Sequence, residues 1–406
     1  MKIKEIILEN FRGKKYLQLP IGKRLTLLLG ENGSGKSTIL DAIAIGLGAA
    51  LTHLPEVSGI TFSKTDLRQH KNKLAPYVRV KIHLTNGTSW DRTLKRDQSK
   101  ATAFQIPTPI GLKQLYKYLD QNIIDPHAEK IAFELPVFAH YGVSRALLDV
   151  PLRRRGFPKS HQRFEALDNA LNAVSRFKTA FVWFYNKENE EQRGKIETKN
   201  FDFRLPELEA VRKAIVRIFP DITQPHIMLN PLRFAVKING ESLDISQLSD
   251  GYKTLLSLVI DLASRMALAN PQKTDPLDTP AVVLVDEVDL HLHPEWQRRV
   301  IGDLLTVFTN TQFIFTTHSP YIVEAINNHL QRNHIEGLFF DDHEIEQILP
   351  LSPQEVTAWS ITVNELVSLM DPDIQLLNDQ LIHSFNRLTG IYERMRDLQW
   401  ENQQHD

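Results

Sequence analysis

One stretch near the start of the chain has the residue types and spacing of a phosphate-binding loop. Gly-Glu-Asn-Gly-Ser-Gly-Lys-Ser at 30–37 follows a short apolar run and precedes a segment with the apolar spacing of a helix. Glycines at these positions let successive backbone N–H groups turn toward anionic oxygens, and the helix N-terminus reinforces them. The lysine is expected to neutralise β- and γ-phosphates, and the serine hydroxyl to hold Mg²⁺. The candidate phosphate-binding residues are Gly30, Asn32, Gly33, Ser34, Gly35, Lys36, Ser37 and Thr38.

A pair of carboxylates ends a buried apolar run in the second half of the chain. Ala281–Val285 is typical of a strand covered on both faces, and Asp286 and Glu287 follow it directly. At the carboxyl end of a parallel strand, Asp286 can reach Mg²⁺ through water, and Glu287 can polarise an attacking water. Together with the loop, these residues predict Mg²⁺-dependent hydrolysis of ATP.

A third motif, Leu-Ser-Asp-Gly-Tyr-Lys at 248–253, opens a predicted helix before that strand. Ser249 is expected to cap the helix, and Gly251 lies in its first turn, where N–H groups are available to an anion. An ordinary N-cap also explains a serine here. In its order relative to the loop and the carboxylates, the segment resembles the LSGGQ signature of ABC-type ATPases, with Asp for the first Gly and Tyr for Gln.

The resemblance implies that the ATP site is shared between two chains. In ABC-type ATPases the signature of one protomer binds the γ-phosphate held by the loop of the other. The resemblance therefore implies a homodimer or higher oligomer with composite ATP sites, to which Ser249 and Gly251 contribute.

Two further segments resemble ABC-type loops, and one departs from the pattern. Asp-Leu-His-Leu-His-Pro at 289–294 resembles the D-loop, and Thr-Thr-His-Ser-Pro at 316–320 resembles the H-loop. The resemblance implies that His318 contacts the γ-phosphate and acts beside Glu287. The segment that corresponds to the Q-loop, 138–145, contains no glutamine, which leaves His140, Ser144 and Arg145 as candidate replacements.

The opening of the chain narrows the resemblance to the SMC, RecF and OLD group. Ile-Ile-Leu-Glu-Asn-Phe-Arg at 6–12 precedes the loop as it does in that group, which implies that Arg12 lies near the nucleotide. The 66 residues after Phe340 are too few for the Toprim nuclease of the OLD branch. The motifs and a short insertion together resemble the ATPase subunits of Septu-type and retron-associated antiphage modules, which implies a separate nuclease effector of the HNH type.

This resemblance predicts a nucleotide-controlled dimeric switch that regulates the effector in antiphage defence. The alternative is a RecF-like repair ATPase that acts on DNA directly. Residues 64–100 hold ten Lys/Arg and three Asp, so they form a candidate nucleic-acid surface in either case. A solvated basic face explains the same run equally simply.

The composition excludes several other classes of site. The chain contains no cysteine, which excludes disulfides, thiolate zinc sites and cysteine nucleophiles. No run reaches the ~18 consecutive apolar residues that span a bilayer, so no membrane association is expected. We predict a cytoplasmic protein.

The expected fold class is α/β, with an ABC-type ATPase head (a P-loop NTPase with a mixed β-sheet and helices). We expect one ATPase lobe with the phosphate-binding loop and a basic β-hairpin at 1–155, and a helical insertion at 156–230. The lobe with the signature, carboxylates, D-loop and H-loop is expected at 231–340. Residues 341–406, with thirteen acidic residues against three arginines, are expected to form a helical assembly or partner region outside a complete ATPase core.

Overall fold

The computed structural model describes residues 1–146, 161–173, 177–338, 341–362, 365–378 and Arg394. In these residues the strands are β1 (Ile3–Phe11), β2 (Lys14–Pro20), β3 (Leu25–Leu29), β4 (Gln69–His70), β5 (Lys73–Leu74), β6 (Tyr77–Leu84), β7 (Ser89–Lys95), β8 (Val137–Tyr141), β9 (Ile222–Leu229), β10 (Leu232–Ile238), β11 (Glu241–Asp244), β12 (Ala281–Val285), β13 (Thr311–Thr317), β14 (Val356–Ile361) and β15 (Leu366–Ser368). The helices are α1 (Lys36–Leu51), α2 (Lys100–Phe104), α3 (Lys113–Leu119), α4 (Asp125–Ala128), α5 (Phe177–Thr198), α6 (Pro206–Ile218), α7 (Asp250–Ala269), α8 (Pro294–Val307), α9 (Pro320–His334) and α10 (His343–Gln347).

A six-stranded sheet forms the centre of the molecule, in the order β15-β14-β3-β13-β12-β8. The strands from β14 to β8 run parallel, and β15 joins the edge antiparallel. Every residue of β3, β8, β12 and β13 is buried, as expected for parallel strands covered on both faces. The carboxyl ends of these parallel strands therefore meet at one edge of the sheet.

A second, antiparallel sheet covers helix α1. Its order is β2-β1-β6-β7, and the hairpin between β6 and β7 turns at Asn86-Gly87, as the sequence predicts. Helix α1 lies so close to this sheet that a Cβ at Gly46 would meet the Ile82 side chain at 2.5 Å. Trp90, on β7, donates its indole N–H to the Gly46 carbonyl of the same helix at 3.0 Å. The helix that begins at the phosphate-binding loop is thus held closely against this sheet.

The predicted helical insertion at 156–230 is helical only in part. Helices α5 and α6 lie within it, but Ile222–Leu229 forms strand β9, which pairs with β10 in a three-stranded antiparallel sheet. Ile222 and Ile227 are buried while their polar neighbours point outward, so the segment packs as a strand. The boundaries of the four predicted segments stay a proposal.

The prediction of a helical C-terminal region is wrong for two of its segments. Val356–Ile361 forms β14, a parallel strand beside β3, and Leu366–Ser368 pairs with it as β15. Val356, Ala358 and Ile361 are buried, and β-branched residues favour a strand in this position. Val363, Leu381 and Phe385, in the region predicted to be helical, fall outside the described residues.

Strand β14 is built into the ATPase core through side chains as well as main chain. The Thr357 hydroxyl accepts from Gly22 N at 3.0 Å and lies 3.0 Å from the Thr26 hydroxyl on β3. The Trp359 indole donates to the Pro20 carbonyl at 3.1 Å. The core therefore extends beyond the predicted boundary at residue 340.

Among the described residues, none of the helices combines the length and apolar character that a membrane crossing requires.

Two truncations should therefore behave differently. Deleting residues 351–406 exposes β3 and removes buried apolar side chains such as Val356 and Ile361, a loss on the order of 5 kcal/mol, comparable to the stability of a whole domain. We expect this variant to lose thermal stability and ATP binding, and deletion of 379–406 to retain both. Thermal melts and fluorescent-nucleotide binding measure this; wild-type binding by the longer deletion would show that β14 is dispensable.

Candidate nucleotide-binding and hydrolysis site

The phosphate-binding loop lies between β3 and α1 and depends on glycine at two positions. A Cβ at Gly30 would overlap the carbonyl oxygen of Ile361, at the end of β14. Gly35 caps α1 with φ 100°, a left-handed conformation that favours glycine. The loop leaves the first N–H groups of α1 without intrahelical partners, which suits an anion.

Lys36 begins α1, and its side chain folds back over the loop. It is 6% exposed, and its Nζ donates to the Gly30 and Glu31 carbonyls at 2.7 and 3.0 Å. Burial lowers the pKa of Lys36, although the carboxylates of Asp286 and Glu287 oppose that shift. The ammonium group is therefore held at the loop by backbone carbonyls and by the field of the carboxylates.

The two carboxylates follow β12, and a threonine on the neighbouring strand fixes them. The Thr316 hydroxyl donates to Asp286 Oδ1 at 2.6 Å and accepts from Glu287 N at 2.7 Å. Glu287 itself has φ 47°, which is uncommon for a residue with a side chain. Thr316 belongs to the predicted H-loop motif, but no sequence signal indicates that its hydroxyl contacts Asp286.

His318 follows β13 and faces Glu287. Its Nε2 lies 3.9 Å from Glu287 Oε1, and this nitrogen is buried without a hydrogen-bond partner in the described part of the chain. The preceding Thr317 hydroxyl donates to Asp289 Oδ1 at 2.5 Å, which joins the predicted H-loop and D-loop. The loops after β12 and β13 thus form one structural unit.

The three candidate replacements for the Q-loop glutamine differ in their surroundings. His140 is buried within β8, where burial lowers its pKa against the opposing effect of Asp41 and Asp286. Ser144 is half-buried after the strand. Arg145 is buried, and its guanidinium donates to the backbone carbonyls of Asp286 and Glu287.

The predicted signature residues lie at the start of α7. Ser249 is exposed and caps the helix, accepting from Tyr252 N at 3.5 Å. A Cβ at Gly251 would come within 2.6 Å of the His291 carbonyl, so the signature packs directly on the D-loop segment. Within its own chain, Ser249 makes its hydrogen bonds to α7, at Tyr252 and Lys253.

Arg12 lies beside α1 and lines an open cavity. Its guanidinium donates to Asp41 on α1 at 2.6 Å and to Asp66 at 2.9 Å. The cavity has a volume of about 490 Å³, and its lining includes Arg12 and Lys64. A neighbouring cation, Lys14, donates to the Thr362 carbonyl at 2.6 Å and approaches Gly35, so this side of the loop is basic.

The predicted nucleic-acid surface at 64–100 is only partly available. Arg79 is buried against Glu9 and Asp91, and Arg92 donates to the carbonyls of Ile45 and Ile60. These arginines hold the antiparallel sheet to its surroundings. Binding of nucleic acid stays a prediction, now restricted to the exposed lysines of the segment: Lys64, Lys71, Lys73, Lys95 and Lys100.

Residues 25–324 match a family model described as "AAA domain, putative AbiEii toxin, Type IV TA system". The chain belongs to this family. Relatives of the chain are named as probable ATPases, which confirms the predicted enzyme class, and its fold is similar to that of SMC head domains, which confirms the predicted fold class. The solved head domain of SMC in complex with the C-terminal winged-helix domain of ScpA is similar in fold, with a TM-score of 0.50 at 16% identity, over 91% of this chain and 98% of that one.

Several relatives of the chain are named as retron or Septu proteins. The chain is 29% identical to "Retron Ec83 probable ATPase" of Escherichia coli, over 81% of this chain and 70% of the relative. It is 28% identical to "Retron Vc95 probable ATPase" of Vibrio cholerae, over 75% and 68%. It is 25% identical to "Septu protein PtuA" of Bacillus thuringiensis, over 80% and 73%. The predicted resemblance to retron and Septu ATPases is confirmed.

Thr316→Val tests whether the threonine positions the two carboxylates. The variant keeps the shape of the side chain but removes both hydrogen bonds, so we expect ATP turnover to fall ~10- to 100-fold, as for other residues that orient metal ligands. Thr311→Val is the matched control, because Thr311 lies buried on the same strand and its hydroxyl has no partner among the described residues. Equal turnover in the two variants would contradict the positioning role.

Proposed function

We propose that the protein binds Mg·ATP in the loop at 30–37 and hydrolyses it in sites that two copies close together. We further propose that this cycle switches a separate nuclease effector in antiphage defence. The observation that carries the proposal is the meeting, at one edge of the six-stranded sheet, of one lysine, two carboxylates and one histidine: Lys36, Asp286, Glu287 and His318.

The site fits a magnesium nucleotide. Ser34 Oγ and His318 Nε2 are buried without hydrogen-bond partners in the described residues, as expected of groups whose partners are substrate oxygens. The hydroxyl of Ser37 and the carboxylate of Asp286 are oxygen donors of the kind that Mg²⁺ prefers, and they would hold the ion. Bound Mg²⁺ neutralises charge that develops on the phosphate oxygens during transfer.

The remaining residues have distinct roles in this proposal. The Lys36 ammonium exchanges its carbonyl partners for phosphate oxygens, and the N–H groups of the loop surround the same anion. Glu287 orients and polarises the attacking water, because its backbone is fixed while its carboxylate faces the site. His318 contacts the γ-phosphate through Nε2. Arg12, with its cavity, contacts the rest of the nucleotide.

Closure by a second copy is supported by the exposure of the signature. Ser249 and the first turn of α7 present N–H groups on the surface, where the γ-phosphate held by another copy can reach them. The packing of Gly251 on His291 means that signature and D-loop would enter such an interface as one surface.

The effector is proposed from the relatives named as retron and Septu proteins, which favour defence over a RecF-like role in repair. By the resemblance, the partner is an HNH-type nuclease, and residues 379–406, which follow the core strands β14 and β15, are the proposed partner or assembly region. Deleting 379–406 should preserve ATP binding and change the subunits that co-purify. Native mass spectrometry measures this, and an unchanged number of subunits and unchanged partner content would exclude residues 379–406 from partner binding.

Glu287→Gln should bind ATP but not hydrolyse it. Only the carboxylate that polarises water is lost, while Lys36, Ser37 and Asp286 remain to hold Mg·ATP. We expect a fall in kcat of at least ~100-fold, nucleotide affinity close to wild type, and an ATP-dependent dimer that persists in gel filtration. Turnover at the wild-type rate would exclude Glu287 from catalysis.

Mixing two inactive variants tests the shared site. Ser249→Arg blocks the signature and Lys36→Ala disables the loop, so each should be inactive alone. In a mixed dimer, the intact loop of the first variant meets the intact signature of the second. A 1:1 mixture should recover about a quarter of the wild-type rate, because half of random dimers are mixed and each has one intact site. Mixed dimers without activity would contradict the shared site.

A further inference from the structure

A buried arginine lies directly behind the two carboxylates. Arg145 follows β8 and is only 2% exposed. Its Nη1 donates to the Asp286 carbonyl at 2.5 Å and to the Gly142 carbonyl at 3.2 Å, and its Nη2 donates to the Glu287 carbonyl at 2.5 Å. One guanidinium group therefore spans the main chain where β12 ends.

The surroundings of Arg145 keep it charged. Burial lowers its pKa to about 10, while the carboxylates of Asp286, Asp289 and Glu287 oppose the shift, so it is protonated at neutral pH. The guanidinium donates to two main-chain carbonyls, which bind its planar fork at two points. A lysine ammonium at this position could not span the same pair of carbonyls in the same geometry.

The Arg145 guanidinium binds the carbonyl of a residue that has an unusual backbone conformation. Glu287 has φ 47°, a conformation that persists in a non-glycine residue only when its surroundings impose it. Its N–H is bound by the Thr316 hydroxyl and its carbonyl by Arg145. Held on both sides, the backbone sets the direction in which the Glu287 carboxylate points.

The backbone of Arg145 is in turn bound to the signature helix. The buried Ser257 hydroxyl, on α7, lies 3.1 Å from the Arg145 carbonyl and 3.0 Å from the Thr254 carbonyl of its own helix, so its single O–H is shared between the two. Helix α7 begins at the Ser249 cap. A continuous set of contacts therefore joins the signature to the carboxylate through a single arginine.

We propose that Arg145 is a positioning residue that couples helix α7 to the orientation of Glu287, so that contact of the signature with nucleotide controls hydrolysis through this side chain. The inference rests on the proposed role of Glu287 in hydrolysis.

The first test is Arg145→Lys in the full chain. We expect kcat to fall ~10- to 100-fold, the effect of losing a bidentate, charge-assisted contact. The dissociation constant for a fluorescent ATP analogue should stay within about threefold of wild type, because the phosphate-binding loop is untouched. Arg163→Lys is the matched control: Arg163 also donates to two backbone carbonyls, those of Ala269 and Phe133, but away from the carboxylates. It should leave kcat unchanged.

A second variant separates positioning from simple structural support. In Arg145→Ala, millimolar guanidinium should restore part of the lost turnover by occupying the vacated position. The same salt should not accelerate wild type or Arg163→Lys. A role confined to stability predicts no such rescue.

The link to α7 is tested by Ser257→Ala, which should lower kcat about three- to tenfold without changing ATP affinity. Ser264→Ala is its matched control, because Ser264 is buried on the same helix and its hydroxyl has no partner in the described residues. If Arg145→Lys does not fold, the comparison of Ser257→Ala with Ser264→Ala tests the proposal in its place. Equal kcat values in these two variants would overturn the proposal.

The outcomes distinguish this inference from the proposed function. Wild-type turnover in Glu287→Gln would exclude Glu287 from catalysis, regardless of the result for Arg145→Lys. If Glu287→Gln is inactive and Arg145→Lys keeps its kcat, or loses kcat and ATP affinity together, the positioning role alone is overturned. Adding Arg145→Lys to Glu287→Gln should cause no further loss of residual hydrolysis, since both substitutions act through the Glu287 carboxylate. A further loss would also overturn the positioning role of Arg145.

Discussion

Parallel hydrogen bonding pairs Val285 of β12 with Phe315 of β13, and Thr317 of β13 with Leu29 of β3. This register makes the phosphate-binding loop, the carboxylates and the His318 loop leave the sheet at the same edge. It also sets Thr316 beside Asp286. A slip of one residue would turn the Thr316 hydroxyl to the other face of the sheet, because side chains alternate along a strand. The register of the sheet therefore determines the positions of the site residues more than the conformations of the loops do.

The charges at this edge are arranged before any substrate arrives. Lys36 and Arg145 are buried cations whose pKa values are lowered by burial and supported by the same carboxylates, Asp286 and Glu287. Burying such groups is costly unless their partners are close and fixed. The protein satisfies most of them internally but leaves Ser34 Oγ and His318 Nε2 without partners among the described residues. These two atoms are where an incoming oxygen adds hydrogen bonds without displacing existing ones.

Much of the site could be predicted from the sequence because its signals are short-range. The loop at 30–37, the run that ends at Asp286-Glu287 and the hairpin at Asn86-Gly87 each depend on residues within one turn or strand. Contacts between distant segments could not be predicted in this way. Thr316 and Arg145 reach Asp286 across 30 and 141 residues of chain. Their roles follow from strand order, which a single sequence does not state.

Strand β14 illustrates the same limit, because its short apolar run is compatible with a helix until it is seen beside β3. Its position has a consequence for biosynthesis. The loop that includes Gly30 leaves the ribosome early, whereas Ile361, which packs on Gly30, and Thr362, which lies 348 residues beyond its partner Lys14, are made late. A nascent chain thus carries the complete phosphate-binding sequence long before it has the strand that shapes it. The contact that shapes the loop at Gly30 can therefore form only after β14 has been made.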